Sequence, residues 1–156
     1  ALDELVEESA TSLRPVADSR GIQLDVDLPN LVGVGSGREM ERVVQNLMVN
    51  AVRHTQPGQS VRVRGGGGPS GAWLTITDGC GGIPVEELSR VFEVGFRGTT
   101  SRSPEAAPLS PGAGLGLAIV RGLVAAQDGT VAVRNVHQGC CFTVSLPAVA
   151  LVPQAG

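Results

Sequence analysis

Basic runs, long apolar segments and paired metal-binding cysteines are all missing from this chain of 156 residues. The formal net charge is −3 and Lys and Arg never occur more than two in a row, so the electrostatic footprint of a nucleic-acid-binding protein is absent. No apolar stretch approaches the roughly 18 residues of a transmembrane helix, and no signal peptide is visible. We therefore expect no nucleic acid as a partner and no membrane contact by this segment.

Aromatic residues and cysteines are also scarce. The sequence holds three Phe and one Trp, so its core must be built from Val, Leu, Ile and Ala, as in an ordinary α/β interior. The cysteines are Cys80, Cys140 and Cys141, an odd number without a C-x-x-C pair. We expect a cytoplasmic location because a reducing compartment is the simplest setting for such thiols. A membrane anchor upstream in a longer parent protein is compatible with this, since the chain begins at Ala1 rather than Met.

Apolar periodicity predicts three long helices and five strands. The helices cover 2–19, 37–54 and 115–127, a short helix follows Pro84, and the strands cover 22–28, 61–64, 73–77, 130–136 and 141–146. The run 65–71 predicts a hairpin loop too rich in glycine to pack, and 98–113 shows no periodicity. We expect an α+β fold, a two-layer α/β sandwich in which a mixed sheet of about five strands packs on about three helices. One domain would cover 1–150, with a tail over 151–156.

The second predicted helix carries a polar strip opposite its apolar stripe. Asn46, Asn50 and Arg53 lie at i, i+4 and i+7, which places their side chains on one face. The amide oxygen of Asn50 suits a Mg²⁺ ion held mainly by phosphates and water, and Arg53 would then meet phosphate oxygens. Taken alone, the strip is explained more simply as a solvated helix face.

A carboxylate ends the strand predicted over 73–77. Asp78 is followed at once by four small residues, Gly79, Cys80, Gly81 and Gly82. An acceptor-only carboxylate can recognise the exocyclic amine of adenine, and glycines let the backbone approach the flat base. The alternative is an ordinary strand-to-turn junction, where Asp and Gly are common.

A glycine-rich loop enters the third long helix. The segment 112–117 reads Gly-Ala-Gly-Leu-Gly-Leu, a G-x-G-x-G spacing without a preceding strand, so it is not a dinucleotide-binding fingerprint. It also lacks the Lys and Ser/Thr of a P-loop. The free N–H groups and positive dipole end of the helix that follows can hold phosphates.

Taken in order, these segments resemble the N, G1, F and G2 boxes of the catalytic ATP-binding domain of sensor histidine kinases. That family belongs to a superfamily shared with type II topoisomerase and mismatch-repair ATPases. The resemblance covers roughly residues 2–147 and ends with 139–147, which looks like the family's last strand. It implies the Bergerat-type fold, with ATP and Mg²⁺ as cofactors.

The resemblance also implies a role for each matching residue. Asn50 matches the Mg²⁺-binding Asn, Arg53 the residue reaching phosphate and His54 the ring beside the adenine. Asp78 matches the adenine-reading Asp. The implied nucleotide-binding set is Asn50, Arg53, His54, Asp78, Gly82, Ile83, Gly112, Gly114, Leu115, Gly116 and Leu117. Phe92 and Arg97 fall in the F box, where the family's Arg lies near the γ-phosphate, and 92–114 would form a lid over ATP.

Three positions depart from the commonest family pattern. Cys80 replaces the first G1 glycine, Gly95 replaces a second F-box Phe, and Cys140 replaces a frequent Thr or Ser beside the adenine. A Cys at position 80 would strain the turn if that position required a positive φ. We interpret Cys80 and Cys140 as small buried residues rather than redox sensors.

Asn46 and Arg97 are the predicted catalytic residues. Hydrolytic members of the superfamily carry a Glu where this chain has Asn46, and an amide cannot accept a proton from water. A neutral histidine acceptor needs positioning and charge neutralisation more than a strong base, so Asn46 favours phosphoryl transfer to His over transfer to water or Ser.

No phosphoacceptor box is present around His54 or His137, the two histidines of the chain. The resemblance therefore implies two partners: a dimeric helical domain that bears the acceptor histidine, in the same chain or on another, and a response regulator downstream. Two alternatives remain open, a degenerate module that only binds nucleotide and an ATPase that hydrolyses it.

Overall fold

A computed structural model describes residues 2–29, 37–68, 70–93 and 116–147. The elements are α1 Leu2–Ser19, β1 Gln23–Asp27, α2 Gly37–His54, β2 Ser60–Gly68, β3 Gly71–Asp78, α3 Val85–Leu88, α4 Gly116–Ala125, β4 Thr130–Val136 and β5 Gly139–Pro147. The predicted boundary at 150, the tail and the aperiodic segment 98–113 lie outside the described residues. No helix in the described ranges is long and apolar enough to cross a membrane.

The five strands form one mixed sheet in the order β1-β2-β3-β5-β4. β1 pairs with β2 in parallel, and the other three pairings are antiparallel. α2 packs between α1 and α4, while α1 contacts β1, α2 contacts β3 and α4 contacts β4. The three long helices therefore form a layer on the sheet, and the predicted α+β class is confirmed.

The core lies between the helix layer and the inward residues of the strands. Buried residues alternate along β3, and the register places Leu74 opposite Val144 and Ile76 opposite Phe142. The apolar stripe predicted for α2 is buried in full. Its members are Met40, Val43, Val44, Leu47, Met48 and Ala51. Apolar residues that recur about every 3.6 residues on the helix therefore pack against apolar residues that recur every second residue on the strands.

The predicted hairpin forms, but glycines 65–68 belong to its first strand rather than to its loop. β2 continues to Gly68, and the register pairs Gly66 with Trp73. A Cβ at Gly66 would lie 2.8 Å from Nε1 of Trp73, so the indole ring covers this glycine. The absence of a side chain at Gly66 makes room for the indole ring. A run of glycines shows no alternation of polar and apolar residues, so nothing in the sequence indicated a strand here.

Candidate functional site

The end of α2 is tied to the turn that follows β3. The Thr55 hydroxyl donates to the Ala51 carbonyl oxygen at 2.7 Å and accepts a hydrogen bond from the Gly79 N–H at 3.1 Å. The Gln56 N–H donates to the Gly79 carbonyl oxygen at 3.1 Å. The helix carrying the predicted magnesium and phosphate residues is therefore fixed to the turn carrying Asp78. Sequence reasoning gave Thr55 no role, and its position directly after the helix was the available signal.

Asp78 is a buried hydrogen-bond acceptor at the C-terminal end of β3. Its side chain is 4% exposed, and Oδ1 accepts hydrogen bonds at 3.2 Å from the backbone N–H groups of Cys80 and Cys140. The Cys140 thiol lies 3.3 Å from both carboxylate oxygens. Burial raises the pKa of Asp78, while the hydrogen bonds from Cys80 and Cys140 act in the opposite direction. These bonds fix the carboxylate in one orientation.

Cys140 is a protonated thiol in this arrangement. Its pKa is raised by the hydrogen bond with Cys80, by burial and by the negative charge of Asp78. The two sulfur atoms of Cys80 and Cys140 lie 3.6 Å apart, and both side chains are buried. Their separation of 60 positions hid this contact from sequence reasoning, which treated them as independent small residues.

The turn after Asp78 takes its unusual backbone geometry at glycines. Gly81 has φ +92° and Gly82 has φ +103°, whereas positive φ at non-glycine residues of the described chain falls on Asp128 and Gln138. Cys80 therefore does not strain the turn. The Gly81 N–H donates to the Gln138 carbonyl oxygen at 3.0 Å, which ties the turn to the β4–β5 hairpin.

Asn135 holds the far side of the same turn. Its Oδ1 accepts from the Ile83 N–H and its Nδ2 donates to the Ile83 carbonyl oxygen, both at 2.8 Å. The register places Asp78 opposite Cys140 and Cys140 opposite Asn135, so one row across three strands carries all three. Sequence reasoning missed Asn135. The available signal was a polar residue in phase with Val131 and Val133 on a strand.

The polar strip on α2 is not a plain solvated face. Arg53 is 7% exposed, and Asn46 and Asn50 are half-buried. A Cβ at Gly116 would lie 3.8 Å from Oδ1 of Asn46, so this amide lies beside the first residue of α4. The structure therefore brings α2, which carries the polar strip, next to the start of α4.

His54 is half-buried at the end of α2. Burial, followed by the positive charges of Arg53 and Arg20, lowers the pKa of His54 from its ordinary 6.5 to about 4, so the ring is neutral at pH 7. Arg20 itself donates to the Val52 and Arg53 carbonyl oxygens at 2.9 and 3.2 Å. A cation thus satisfies the last carbonyls of α2.

The remaining predicted residues divide into two groups. Phe92 meets Phe142 edge to face, with ring centroids 6.0 Å apart, and Leu117 packs half-buried against the core. Arg97, Gly112, Gly114 and Leu115 lie outside the described residues, as does Gly95 and nearly all of the predicted lid.

The family described as "Histidine kinase-, DNA gyrase B-, and HSP90-like ATPase" matches residues 35–150. The sensor-like histidine kinase SenX3 of Mycobacterium tuberculosis is 33% identical over 150 residues, covering 95% of this chain and 36% of SenX3. The signal transduction histidine-protein kinase BaeS of Escherichia coli is 32% identical over 145 residues, covering 92% of this chain and 30% of BaeS. The chain therefore spans about a third of the length of these relatives.

A solved structure shows the same architecture. The mycobacterial sensor histidine kinase MprB superposes with a TM-score of 0.79 at 32% identity, covering 92% of this chain and 93% of that one. Sequence and structure similarity therefore extend over nearly the whole chain.

Proposed function

The chain belongs to the histidine kinase-, DNA gyrase B- and HSP90-like ATPase family as a histidine kinase catalytic domain, and we propose that it binds ATP with Mg²⁺ and transfers the γ-phosphoryl group to a histidine of another domain. One observation carries the proposal, the buried carboxylate of Asp78 held by two backbone N–H groups beside a glycine turn.

The adenine side of the proposed site is built on this turn. Asp78 accepts the hydrogen bond of the adenine amine, and Gly82, which has no Cβ and a positive φ, lets the base approach the backbone. Asn135 keeps Ile83 at the edge of the base through its two backbone hydrogen bonds. His54, neutral at pH 7, adds a flat uncharged ring next to Arg53.

The phosphate side is built from the polar strip and α4. The amide oxygens of Asn46 and Asn50 are hard donors, and Asn46 lies beside the N-terminus of α4, where free N–H groups favour anions. These donors fit Mg²⁺ and phosphate, with Asn50 the proposed metal ligand and Arg53 the proposed phosphate contact. When bound, Mg²⁺ supplies charge neutralisation on the phosphate oxygens. Arg97, Gly112, Gly114, Leu115, Gly116 and Leu117 complete the proposed set.

The acceptor histidine is proposed to lie on a separate dimeric helical domain, in the parent chain or on a partner, with a response regulator downstream. The sensor histidine kinases named above support this, as does the amide at position 46, which cannot act as a general base toward water. His54 is half-buried at a helix end and His137 lies in an exposed turn, so neither resembles a presented acceptor.

The test is transfer of labelled γ-phosphate from ATP to the acceptor domain of the parent protein, supplied separately. We expect label on that domain's histidine and little release of inorganic phosphate by the 156-residue chain alone. Nucleotide binding without transfer would leave a binding-only module. Rapid basal hydrolysis, with or without the acceptor, would make the chain a hydrolysing ATPase.

A further inference from the structure

We propose that Asp78, Cys80 and Cys140 form a binding site for a thiophilic divalent cation of the zinc class, and that occupation of this site excludes the adenine base. The first half of the proposal stands on the geometry of the three side chains. The second half rests on the proposed function, because it takes Asp78 as the acceptor for adenine.

The three potential ligand atoms have separations that suit one tetrahedral ion. They all lie within 4.8 Å of one another. The two sulfurs are 3.6 Å apart, and the Cys140 sulfur lies 3.3 Å from each carboxylate oxygen. Zn–S bonds of about 2.3 Å and Zn–O bonds of about 2.0–2.2 Å place tetrahedral ligands about 3.5–3.8 Å apart. The sulfur–sulfur distance and the distances from the Cys140 sulfur to the carboxylate need adjustments of a few tenths of an ångström, and the Cys80 sulfur lies within 4.8 Å of a carboxylate oxygen.

Backbone hydrogen bonds already orient these ligands. The Gly82 N–H points at the Cys80 sulfur at 3.3 Å, and two further N–H groups hold Oδ1 of Asp78. Asp78, Cys80 and Cys140 are 4%, 6% and 1% exposed, so all three ligands are buried. Outer hydrogen bonds of this kind position ligands and raise metal affinity.

The site uses residues that are distant along the chain. Asp78 and Cys80 come from the end of β3 and its turn, and β3 pairs with β5 so that Asp78 lies opposite Cys140. No C-x-x-C spacing is present, which is why the sequence did not predict a cysteine metal site here. The adjacent Cys141 belongs to the opposite side of β5, where its sulfur lies 4.0 Å from the Thr143 hydroxyl.

When the cation binds, it replaces the protons of the two thiols. Two metal–sulfur bonds and one metal–oxygen bond form, the two S–H protons pass to solvent, and a water molecule completes the tetrahedron. A coordinated carboxylate oxygen no longer accepts the adenine amine, and the Cys140 thiol no longer donates to that carboxylate. The metal therefore occupies the group on which base recognition depends.

The first experiment titrates the full 156-residue chain with Co²⁺ under a phosphine reductant and follows the thiolate-to-cobalt charge-transfer band. We expect one equivalent to bind to the wild type and to Cys141→Ser, with the band removed by added Zn²⁺. Cys80→Ala and Cys140→Ser should lose the band. A wild type without the band, or a band that survives both substitutions, would overturn the site. This readout needs no nucleotide.

The second experiment measures the affinity for an ATP analogue in constant Mg²⁺, with Zn²⁺ and with a zinc-selective chelator, each variant compared with its own zinc-free value. Saturating Zn²⁺ should weaken binding about tenfold or more in the wild type and Cys141→Ser, and less than about twofold in Cys80→Ala and Cys140→Ser. An equal loss in all four proteins would assign the effect to zinc on the nucleotide and overturn competition. Absence of nucleotide binding even with chelator would instead contradict the proposed function.

Discussion

Gly139 has no room for a side chain against the Asp78 backbone. A Cβ at this position would overlap the Asp78 carbonyl oxygen and lie 2.8 Å from the Asp78 carbonyl carbon. Neither atom can move without displacing the hydrogen-bonded carboxylate turn. Glycine is thus required at position 139 because of the nearby Asp78 backbone, and not because the residue lies near a hairpin turn.

We expect Gly139→Ala to lower the free energy of unfolding by about 3 kcal/mol, because the added methyl group overpacks against backbone. Gly122→Ala is the matched control, since a Cβ there has nothing within 4 Å and the residue lies inside α4. The control should raise stability by up to about 1 kcal/mol through helix propensity. Urea unfolding of both variants decides the matter, and equal stabilities would refute the close approach.

The neutral His54 makes folding sensitive to mild acid. Its pKa falls from 6.5 to about 4 on folding, so the unfolded chain binds more protons between these values. The stabilisation is complete above pH 6.5 and is lost as the pH falls through this window. Between pH 6.5 and 5 the loss from this one group is about 2 kcal/mol.

We expect His54→Gln to remove that share of the pH dependence, as measured by urea unfolding at pH 6.5 and pH 5. His137→Gln, in an exposed turn, serves as the matched control and should keep the wild-type dependence. A variant at position 54 whose pH dependence equals that of the wild type would show that His54 is not buried in neutral form.

Among the elements, the hydrogen bonds that join the end of α2 to the β3 turn include one made by a side-chain hydroxyl. Thr55 is 1% exposed and accepts from the Gly79 N–H, which is itself buried. Replacing the Thr55 hydroxyl with a methyl group of similar size leaves the Gly79 N–H without its acceptor. The cost of such an orphaned donor is about 1–3 kcal/mol.

We therefore expect Thr55→Val to lose about 1–3 kcal/mol of stability, and Thr55→Ser to lose clearly less because it keeps the acceptor. Thermal or urea unfolding of the two variants measures the difference. The valine variant should also expose the Gly79 amide to hydrogen exchange. If Val and Ser prove equally stable, the hydroxyl does not carry the link.

The elements that sequence reasoning predicted well are those with unbroken periodicity. The bounds of α1 and α2 were predicted as observed, because apolar residues recur along both helices at helical spacing. β2 was ended early, because glycines show no alternation. In the candidate site, Asp78 and its glycine turn were identified from local pattern. Thr55, Asn135 and the Cys80–Cys140 contact were missed, because each depends on strand register or on a contact distant in sequence.

At the scale of the whole molecule, the candidate site draws on nearly every central element. α2 contributes the polar strip and β3 contributes the Asp78 carboxylate. β5 contributes Cys140, which donates to that carboxylate, and β4 contributes Asn135, which bonds to Ile83. α4 begins beside Asn46. The row from Asp78 across β5 to β4 places these groups at one end of the sheet. The proposed base recognition is therefore a property of the assembled sheet.

The proposed nucleotide site is tested by calorimetric titration of the chain with an ATP analogue and a GTP analogue in Mg²⁺, on the wild type, Asp78→Asn and Asp128→Asn. Asp128 is an exposed residue at φ 62°, which Asn adopts readily, and it makes a matched control. We predict adenine-selective binding that Asp78→Asn weakens about tenfold to a hundredfold while Asp128→Asn leaves it unchanged. Binding that ignores the base, or that survives Asp78→Asn intact, would contradict the assignment of Asp78 and the nucleotide site built on it.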